Sequence, residues 1–194
     1  MVGSLRPGSF TRRTVELALE GAAESGAATE LVDLNDYDLI FANGKIADGD
    51  APADVLRLRG VMREAHGFIL GTPEYHGSFS GVLKNALDLM GFQEFSGKIV
   101  GLVGVSGGQL GAVNALTSLG MVGRALHAWI YPRMVSIPQA WKYFDRDGQL
   151  KDPDLVERLH AIGGEVVRFA VLHTVEKHAE FLQAWEEAQP NPGG

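Results

Sequence analysis

The sequence predicts an α/β fold in which a parallel sheet carries helices on both faces. Two short apolar runs, residues 67–71 (GFILG) and 98–105 (KIVGLVGV), are typical of strands that are buried on both sides. Helical spacing of apolar residues follows each run, over residues 80–90 and 110–126. Strands that alternate with helices form parallel sheets, because each crossover helix returns the chain to the same edge.

The first third of the chain continues this alternation. A helix is predicted over about residues 10–25, and residues 30–34 (ELVDL) have the alternating, β-prone pattern of a second strand. The polar stretch 35–54 is long for a turn and predicts a functional or mobile loop. A helix opened by Asp50, Pro52 or Asp54 then runs to about residue 65. Its arginines form either a solvated face or a binding surface: Arg57, Arg59 and Arg63.

The last third contains one more strand and a long helix. Residues 92–97 form a short connection, residues 127–131 (HAWIY) predict a strand, and residues 132–148 are expected to be irregular. Asp152 and Pro153 mark a helix start, since Asp caps well and Pro is favoured at the first helical position. We expect this helix to bend at Gly163–Gly164 and to run to about Glu187. Its second half carries an apolar stripe typical of core or subunit contact: Val175, Phe181, Leu182 and Trp185.

Length and composition indicate one globular domain of 194 residues, which we place at residues 1–188 with a loose C-terminal tail at 189–194. The net charge of −7 argues against nucleic-acid binding as the main function. The absence of cysteine excludes disulfides and thiol nucleophiles and fits a cytoplasmic protein. No apolar run approaches the roughly 18 residues of a membrane span, and no signal peptide is visible.

Three loops rich in small and polar residues follow predicted strands, at residues 3–11, 72–78 and 106–109. The carboxyl ends of parallel strands lie on one edge of a sheet, and ligands of such folds bind in the crevice there. We therefore expect the three loops to converge on one binding site.

The first loop suits a phosphate group. It opens directly onto a helix, whose N-terminus offers free N–H groups and a partial positive charge. The hydroxyls of Ser4, Ser9 and Thr11 can donate hydrogen bonds, and Arg6 can add a charge-assisted contact. Alternatively, Ser9 simply caps the helix, which would need no nearby arginine.

The second loop suits a flat ligand with polar edges, because it combines a rigid proline, an aromatic ring and open backbone N–H groups: Pro73, Glu74, Tyr75, His76, Gly77 and Ser78. Alternatively, it is an ordinary strand-to-helix turn in which Pro and Gly only set backbone angles. A phosphate joined to a flat heterocycle is a mononucleotide, which is the ligand that the loops together indicate.

Only Met1 and Val2 precede the first loop. In a doubly wound sheet with the strand order 2-1-3-4-5, the first strand lies inside the sheet. Two residues are too few for a central strand, and its loss would expose the edges of its neighbours. We therefore expect an apolar strand upstream of Met1.

Three motifs, GSLRPGSFT, TPEYHGSFSGVLKNALD and VSGGQLG, resemble the NADPH-dependent FMN reductase family, a flavodoxin-like group that includes quinone, chromate and azo-dye reductases. The resemblance covers roughly residues 2–147, and the middle motif is its most specific part. It implies a flavodoxin-like, doubly wound parallel sheet of five strands in the order 2-1-3-4-5. It also implies FMN and NAD(P)H as cofactors, and a homodimer or homotetramer with the flavin near a subunit interface.

The resemblance also implies the residues that bind FMN. The first loop would hold the phosphate, the second would line the isoalloxazine and the ribityl chain, and the third would approach the other edge of the ring. The residues so assigned are Ser4, Arg6, Ser9, Phe10, Thr11, Pro73, Glu74, Tyr75, His76, Gly77, Ser106, Gly107 and Gly108. The family commonly has Asn where Thr11 and His76 stand here, so flavin affinity or potential can differ.

The implied function is hydride transfer from NAD(P)H through FMN to a flavin, quinone or similar small-molecule acceptor. No protein acid or base is required, so we assign no catalytic residue, and His76 is either a proton donor or a plain pocket histidine. A hydrolase is disfavoured because no partner His or Asp can be placed beside Ser9 or Ser106, the two serines that could act as nucleophiles. Two alternatives stay open: an electron carrier without nicotinamide turnover, and a flavin-free binding module on the same fold.

Overall fold

Six helices and a mostly parallel sheet form the part of the chain that this computed structural model describes, residues 1–43 and 51–173. The helices are α1 Phe10–Glu24, α2 Ala53–Glu64, α3 Gly81–Asp88, α4 Phe92–Phe95, α5 Val113–Ala125 and α6 Pro153–Leu172. The strands are β1 Gly67–Tyr75, β2 Ser78–Phe79, β3 Ile99–Val105, β4 Trp129–Ile130 and β5 Val135–Ile137. The predictions for Asp50, for the stripe from Val175 to Trp185, for the helix end at Glu187 and for the tail lie outside the described residues.

The central strands confirm the predicted parallel sheet. β1 and β3 pair in parallel from Gly67 opposite Ile99 to Pro73 opposite Val105. β4 and β5 both pair in parallel with β3 on its other side. On the side of β1 opposite β3, Val2 lies between β1 and Asp33 and forms a parallel bridge to each. Counted along the chain, with β4 and β5 together as the fifth strand, this order agrees with 2-1-3-4-5.

The strands at the first two positions of this order, around Asp33 and Val2, are very short. The N–H of Val2 donates to the carbonyl of Val32 at 2.8 Å, and the N–H of Gly3 donates to the carbonyl of Gly71 at 2.8 Å. The expectation that two residues cannot occupy a central position was therefore wrong. The strand predicted at 30–34 shrinks to the bridge at Asp33, because the Asp33 side chain accepts from the N–H of Asn35 and starts a 3-10 turn.

The stretch predicted as a loop at 72–78 is instead the end of β1 and a β-hairpin. Glu74 pairs with Phe79 and Tyr75 with Ser78 in antiparallel register. The two turn residues have positive φ, 51° at His76 and 76° at Gly77. A two-residue hairpin turn requires positive φ at both positions when it is of type I′, whose twist matches that of the strands.

The fifth strand was predicted as one piece at 127–131, and the structure divides it. β4 contains only Trp129 and Ile130, and β5 lies inside the stretch predicted as irregular. Tyr131 still donates its N–H to the carbonyl of Val100 at 2.9 Å. Pro132 follows and has no N–H, so the ladder is interrupted there before β5 resumes it.

Alternate residues of the central strands pack into two separate cores. Phe68 and Leu70 pack with α2, α3 and α5, whereas Ile69 and Val103 pack with α1 and α6. Helices therefore cover both faces of the sheet, as predicted.

Glycines allow α1 and α6 to cross very closely. A Cβ atom on Gly163 would lie 1.9 Å from the carbonyl oxygen of Ala18, and one on Gly21 would lie 2.2 Å from the carbonyl oxygen of His160. The helix α6 continues through Gly163 without interruption. Gly163 therefore serves close packing, which in turn fixes α1 and the loop in front of it.

The arginines of α2 form neither a bare solvated face nor an open binding surface. The guanidinium of Arg57 lies 3.8 Å from the ring centroid of Tyr37. Arg59 donates to a backbone carbonyl just after α3 at 2.7 Å, and Arg63 donates to the buried carboxylate of Glu94 at 2.6 Å. These contacts hold α2 against its neighbours.

Candidate flavin-binding site

The three predicted loops leave neighbouring strands at the same edge of the sheet. Gly3 pairs with Gly71, and Pro73 lies opposite Val105, so the chain leaves all three strands at one level. Ser80 joins two of the segments: its hydroxyl donates to the carbonyl of Gly3 at 2.5 Å, and its N–H donates to Thr72 Oγ1 at 3.0 Å. The predicted convergence is therefore present.

Ser9 is the N-cap of the fifteen-residue helix α1. Its Oγ accepts from the N–H of Thr11 at 3.2 Å, and its backbone is extended, with φ −63° and ψ 124°. Capping uses the hydroxyl oxygen as an acceptor, so the hydroxyl hydrogen can still be donated to a ligand. The capping role and the phosphate role of Ser9 are therefore compatible.

The loop before α1 carries several hydrogen-bond donors without acceptors. The backbone N–H groups of Leu5, Gly8, Ser9 and Phe10 donate to no other described residue. Thr11 is 1% exposed, and its Oγ1 has no partner within the described chain. Such a set of unsatisfied donors at a helix N-terminus is what an anion would satisfy.

The two arginines at this loop differ in their partners. Arg12 pairs with the buried carboxylate of Asp33 and with Glu16, whose Oε1 lies 2.9 Å from its Nε. The hydrogen bond with Asp33 raises the pKa of Arg12 above its usual value. Arg6 is exposed and pairs with no carboxylate among the described residues, so its charge is available to a ligand.

Asn35 holds the loop from the side of the second strand position. Its Nδ2 donates to the carbonyl of Ser4 at 3.2 Å and to Asp33 Oδ1 at 3.0 Å. The same Asp33 oxygen accepts from the backbone N–H of Asn35 at 2.9 Å. The Ser4 hydroxyl, in turn, accepts from the N–H of Arg6 at 3.4 Å.

A cavity of about 250 Å³ lies beside this loop. Its lining combines the loop with the chain around Asp33, namely Ser4, Arg6, Pro7, Gly8, Ser9, Arg12, Asp33, Asn35 and Asp36. A larger groove of about 1260 Å³ lies between α1 and α6 and contains none of the three loops. The smaller cavity is the relevant one, because Gly8 and Ser9, whose N–H groups donate to no described residue, line it together with Arg6.

The hairpin presents exposed residues above a buried base. Tyr75, His76 and Gly77 are exposed, whereas Pro73 is buried within β1. The carboxylate of Glu74 accepts from the N–H of Ala115 at 3.0 Å, in the first turn of α5. Tyr75, His76 and Gly77 are therefore open to a ligand, and Glu74 connects the hairpin to α5.

The third loop is held by the segment that follows β5. Ser106 accepts at its carbonyl from the N–H of Ala140 at 2.9 Å, and Gly108 accepts from the N–H of Gln139 at 3.0 Å. Ser106 Oγ also accepts from the N–H of Gly108 at 3.0 Å. Gly107 is exposed, and a Cβ there would meet no atom of the described residues within 4 Å. The loop therefore leaves open space along its backbone.

One assigned residue contributes less than the sequence suggested. The Phe10 ring stacks on Phe144, with centroids 4.4 Å apart and planes 12° from parallel. Its side chain therefore serves the core, and only its backbone N–H is left for a ligand.

Three residues next to the site were not selected from the sequence. Asn35 and Ser80 both bond to the first loop or its strand, and Gln139 supports the third loop with a positive φ of 42°. The signals for Ser80 and Asn35 were present, as a Ser before a helical run and an Asp-x-Asn after a strand. Gln139 has no comparable signal, because its backbone conformation is imposed by the loops around it.

The fold and the site define a flavodoxin-like protein that binds a mononucleotide. Within the described part of the chain, the N–H groups without acceptors, the buried hydroxyl of Thr11 and the unpaired charge of Arg6 fit the phosphate of FMN, and the open backbone at Gly107 fits the approach of a flat ring. The model of the NADPH-dependent FMN reductase family matches residues 1–142. The chain therefore belongs to that family.

Individual relatives agree with this assignment. The NADPH-dependent FMN reductase ArsH of Shigella flexneri is 32% identical over 187 residues, which is 94% of this chain and 71% of that protein. A probable NADPH:quinone oxidoreductase of Oryza sativa subsp. japonica is 35% identical over 164 residues, 81% of this chain and 80% of its own length. The solved structure of FerB, a flavoenzyme NAD(P)H:(acceptor) oxidoreductase from Paracoccus denitrificans, has a TM-score of 0.71 at 26% identity and covers 90% of this chain and 97% of its own.

The predicted class of protein is thereby confirmed. The fold is flavodoxin-like, and the chain is an FMN-dependent oxidoreductase that uses NAD(P)H. Within residues 1–43 and 51–173, no helix is both long and apolar enough to cross a membrane. The same residues contain no cluster of three or more His, Asp or Glu side chains that could hold a metal ion.

Proposed function

We propose that FMN binds at the edge where the three loops meet and that a small-molecule acceptor takes its electrons there. The observation that carries this proposal is the set of donors in the loop before α1 that have no partner among the described residues, next to the guanidinium of Arg6, which pairs with no carboxylate of that part of the chain. The proposed site residues remain those assigned from the sequence, with Phe10 acting through its backbone N–H alone. Bound FMN supplies two-electron hydride chemistry, taking a hydride from NAD(P)H and reducing a flavin, quinone or similar acceptor.

The protein's part in this reaction is binding, orientation and electrostatics. The N-terminus of α1 and Arg6 would neutralise the phosphate. Backbone N–H groups around Gly107 would stabilise negative charge at the edge of the ring. The exposed Tyr75 and His76 leave one side open, which suits a planar acceptor arriving from solvent.

We further propose that the protein is a cytoplasmic homodimer or homotetramer. Exposed apolar side chains along α5 and just before it support self-association, with Leu110 80% exposed, Met121 64% and Val113 50%. The lack of cysteine is in keeping with a cytoplasmic location. The net charge of −7 favours small-molecule acceptors over nucleic acid.

A spectroscopic titration tests the reaction. The purified protein should show flavin absorption bands, and NADPH added without oxygen should bleach them. Bands that neither NADPH nor NADH bleaches would indicate an electron carrier instead. A protein that binds no added FMN would contradict the proposed site altogether.

A pair of arginine variants tests the phosphate loop. Arg6→Ala should weaken FMN binding roughly tenfold, because it removes one charge-assisted contact. Arg13→Ala is the matched control, since Arg13 lies on α1 and pairs with Glu20 at 2.7 Å. Equal affinities for FMN in the two variants would argue against a role of Arg6 at the phosphate.

A further inference from the structure

Asn35 lies outside the three loops and has no role in the chemistry described above. Its hydrogen bonds nevertheless connect the first loop to Asp33 and, through Asp33, to α1. Its side-chain amide has two N–H groups, and they serve two acceptors: the carbonyl of Ser4 at 3.2 Å and Asp33 Oδ1 at 3.0 Å. Asp33 is buried and bonds through its other oxygen to Arg12 in the first turn of α1. A continuous chain of hydrogen bonds therefore connects α1 to the backbone of the first loop.

The bond to Ser4 constrains the direction of the next N–H group. In a trans peptide group, the carbonyl and the following N–H point in opposite directions. Holding the Ser4 carbonyl towards Asn35 therefore turns the N–H of Leu5 away from it. That N–H donates to no described residue, so the orientation is not explained by any bond of its own.

We propose that Asn35 is a positioning residue for the FMN phosphate: by holding the Ser4 carbonyl, it fixes the peptide group that carries the N–H of Leu5, so that this N–H, which donates to no described residue, stays available to the phosphate. The chain Arg12–Asp33–Asn35 keeps the amide of Asn35 in place. The same chain occupies Arg12, which leaves the phosphate to the backbone donors and to Arg6. This inference deepens the proposed function and rests on it, because it requires FMN at this loop.

A comparison of two ligands separates positioning from general support of the fold. Riboflavin has the ring and the ribityl chain of FMN but no phosphate. Asn35→Ala should therefore weaken FMN binding to the flavin-free protein about tenfold, the effect of one charge-assisted hydrogen bond, while riboflavin affinity changes less than about twofold. Fluorescence titration of both ligands gives the ratio of the Kd for FMN to the Kd for riboflavin, which rises when FMN alone is bound more weakly.

Two further variants complete the test. Asn35→Leu keeps about the size of the side chain and adds no charge but loses the donor to Ser4, so it should likewise weaken FMN binding relative to riboflavin binding, and it carries the test if the alanine variant does not fold. Asn85→Ala is the matched control, because Asn85 holds another loop by donating to the carbonyl of Ile40 at 3.0 Å and accepting from the N–H of Ala42 at 3.0 Å. The control should leave the ratio unchanged.

The outcomes distinguish this inference from the proposed function. A selective loss of FMN affinity in both Asn35 variants supports the positioning role. An equal loss for both ligands, or no loss, overturns it. A wild-type protein that does not prefer FMN to riboflavin would instead contradict the phosphate loop itself.

Discussion

Replacing Gly163 by alanine tests the close crossing of α1 and α6. The new Cβ would lie 1.9 Å from the carbonyl oxygen of Ala18 and 2.7 Å from the backbone nitrogen of Ala22, so the helices must separate. Overpacking of this kind costs about 1–3 kcal/mol, and a clash with backbone belongs at the upper end. Alanine regains about 1 kcal/mol of helix propensity over glycine. We expect Gly163→Ala to lower the free energy of unfolding by about 2 kcal/mol.

The neighbouring glycine provides the control. A Cβ on Gly164 would approach the side chain of Ser25, at 2.9 Å from its Oγ, and that hydroxyl can rotate away. Rotation sacrifices the bond from Ser25 to the carbonyl of Gly21, worth about 1 kcal/mol, and the gain in helix propensity offsets it. Gly164→Ala should therefore be nearly neutral.

Urea unfolding followed by circular dichroism measures both variants. The difference of about 2 kcal/mol corresponds to roughly 4–8 °C in Tm for a chain of this size. The slope of the transition should stay constant, which indicates that only stability has changed. If Gly163→Ala were as stable as Gly164→Ala, the closeness of the two helices would not be what requires glycine at position 163.

Three more outcomes can be measured in the same way. Gly77→Ala should destabilise the protein by about 1 kcal/mol through backbone strain alone, since φ is +76° and a Cβ there would meet nothing within 4 Å; an unchanged urea midpoint would contradict this. Ser80→Ala should cost about 2 kcal/mol, because it removes a helix cap and leaves the buried carbonyl of Gly3 without its donor; the urea midpoint again reports it. The hydrogen bond from Lys151 lowers the pKa of Asp145 below its usual 3.8, so its contribution to stability is present above that value and is lost as pH falls through the lower pKa of the folded state. Asp145→Asn should therefore flatten the acid limb of a stability–pH profile, and an unchanged limb would rule this carboxylate out.

The sheet was predictable where the sequence pattern is local and strong. The run at 98–105 became β3 almost unchanged, because a strand covered on both faces must be apolar throughout. The start of α6 was equally clear, since Asp152 accepts from the N–H of Leu155 at 3.1 Å and Pro153 follows it. In both cases a few adjacent residues determine the structure.

The errors arose where distant residues decide the backbone. The hairpin turn at His76 was missed because Pro73 suggests a loop, whereas pairing with β3 extends the strand through it. The strand at 30–34 was overestimated because the Asp33 side chain competes with the ladder for the N–H of Asn35. The length needed for the central strand was misjudged. A central strand forms hydrogen bonds on both of its sides, so even Val2 and its neighbours join the segments at Val32 and Gly71.

The loops of the candidate site were predictable from the sequence, but the hydrogen bonds that connect them to the rest of the fold were not. The sequence indicated which strand ends carry polar residues, and the resemblance assigned them to FMN; these assignments stay predictions. The sequence did not indicate that Asn35 holds Ser4, because 31 residues separate them and the contact depends on the sheet order. Nor did it indicate that Glu74 would bond to the first turn of α5.

Ser80 has a consequence for the order in which the molecule opens. Its hydroxyl accepts from the N–H of Leu83 in α3 and donates to Gly3, while its N–H donates to Thr72 in β1. Separating any one of these segments breaks a bond that also holds the others. In native-state hydrogen exchange, the amides of α3, the end of β1 and Gly3 should therefore exchange through one cooperative opening rather than through independent fraying.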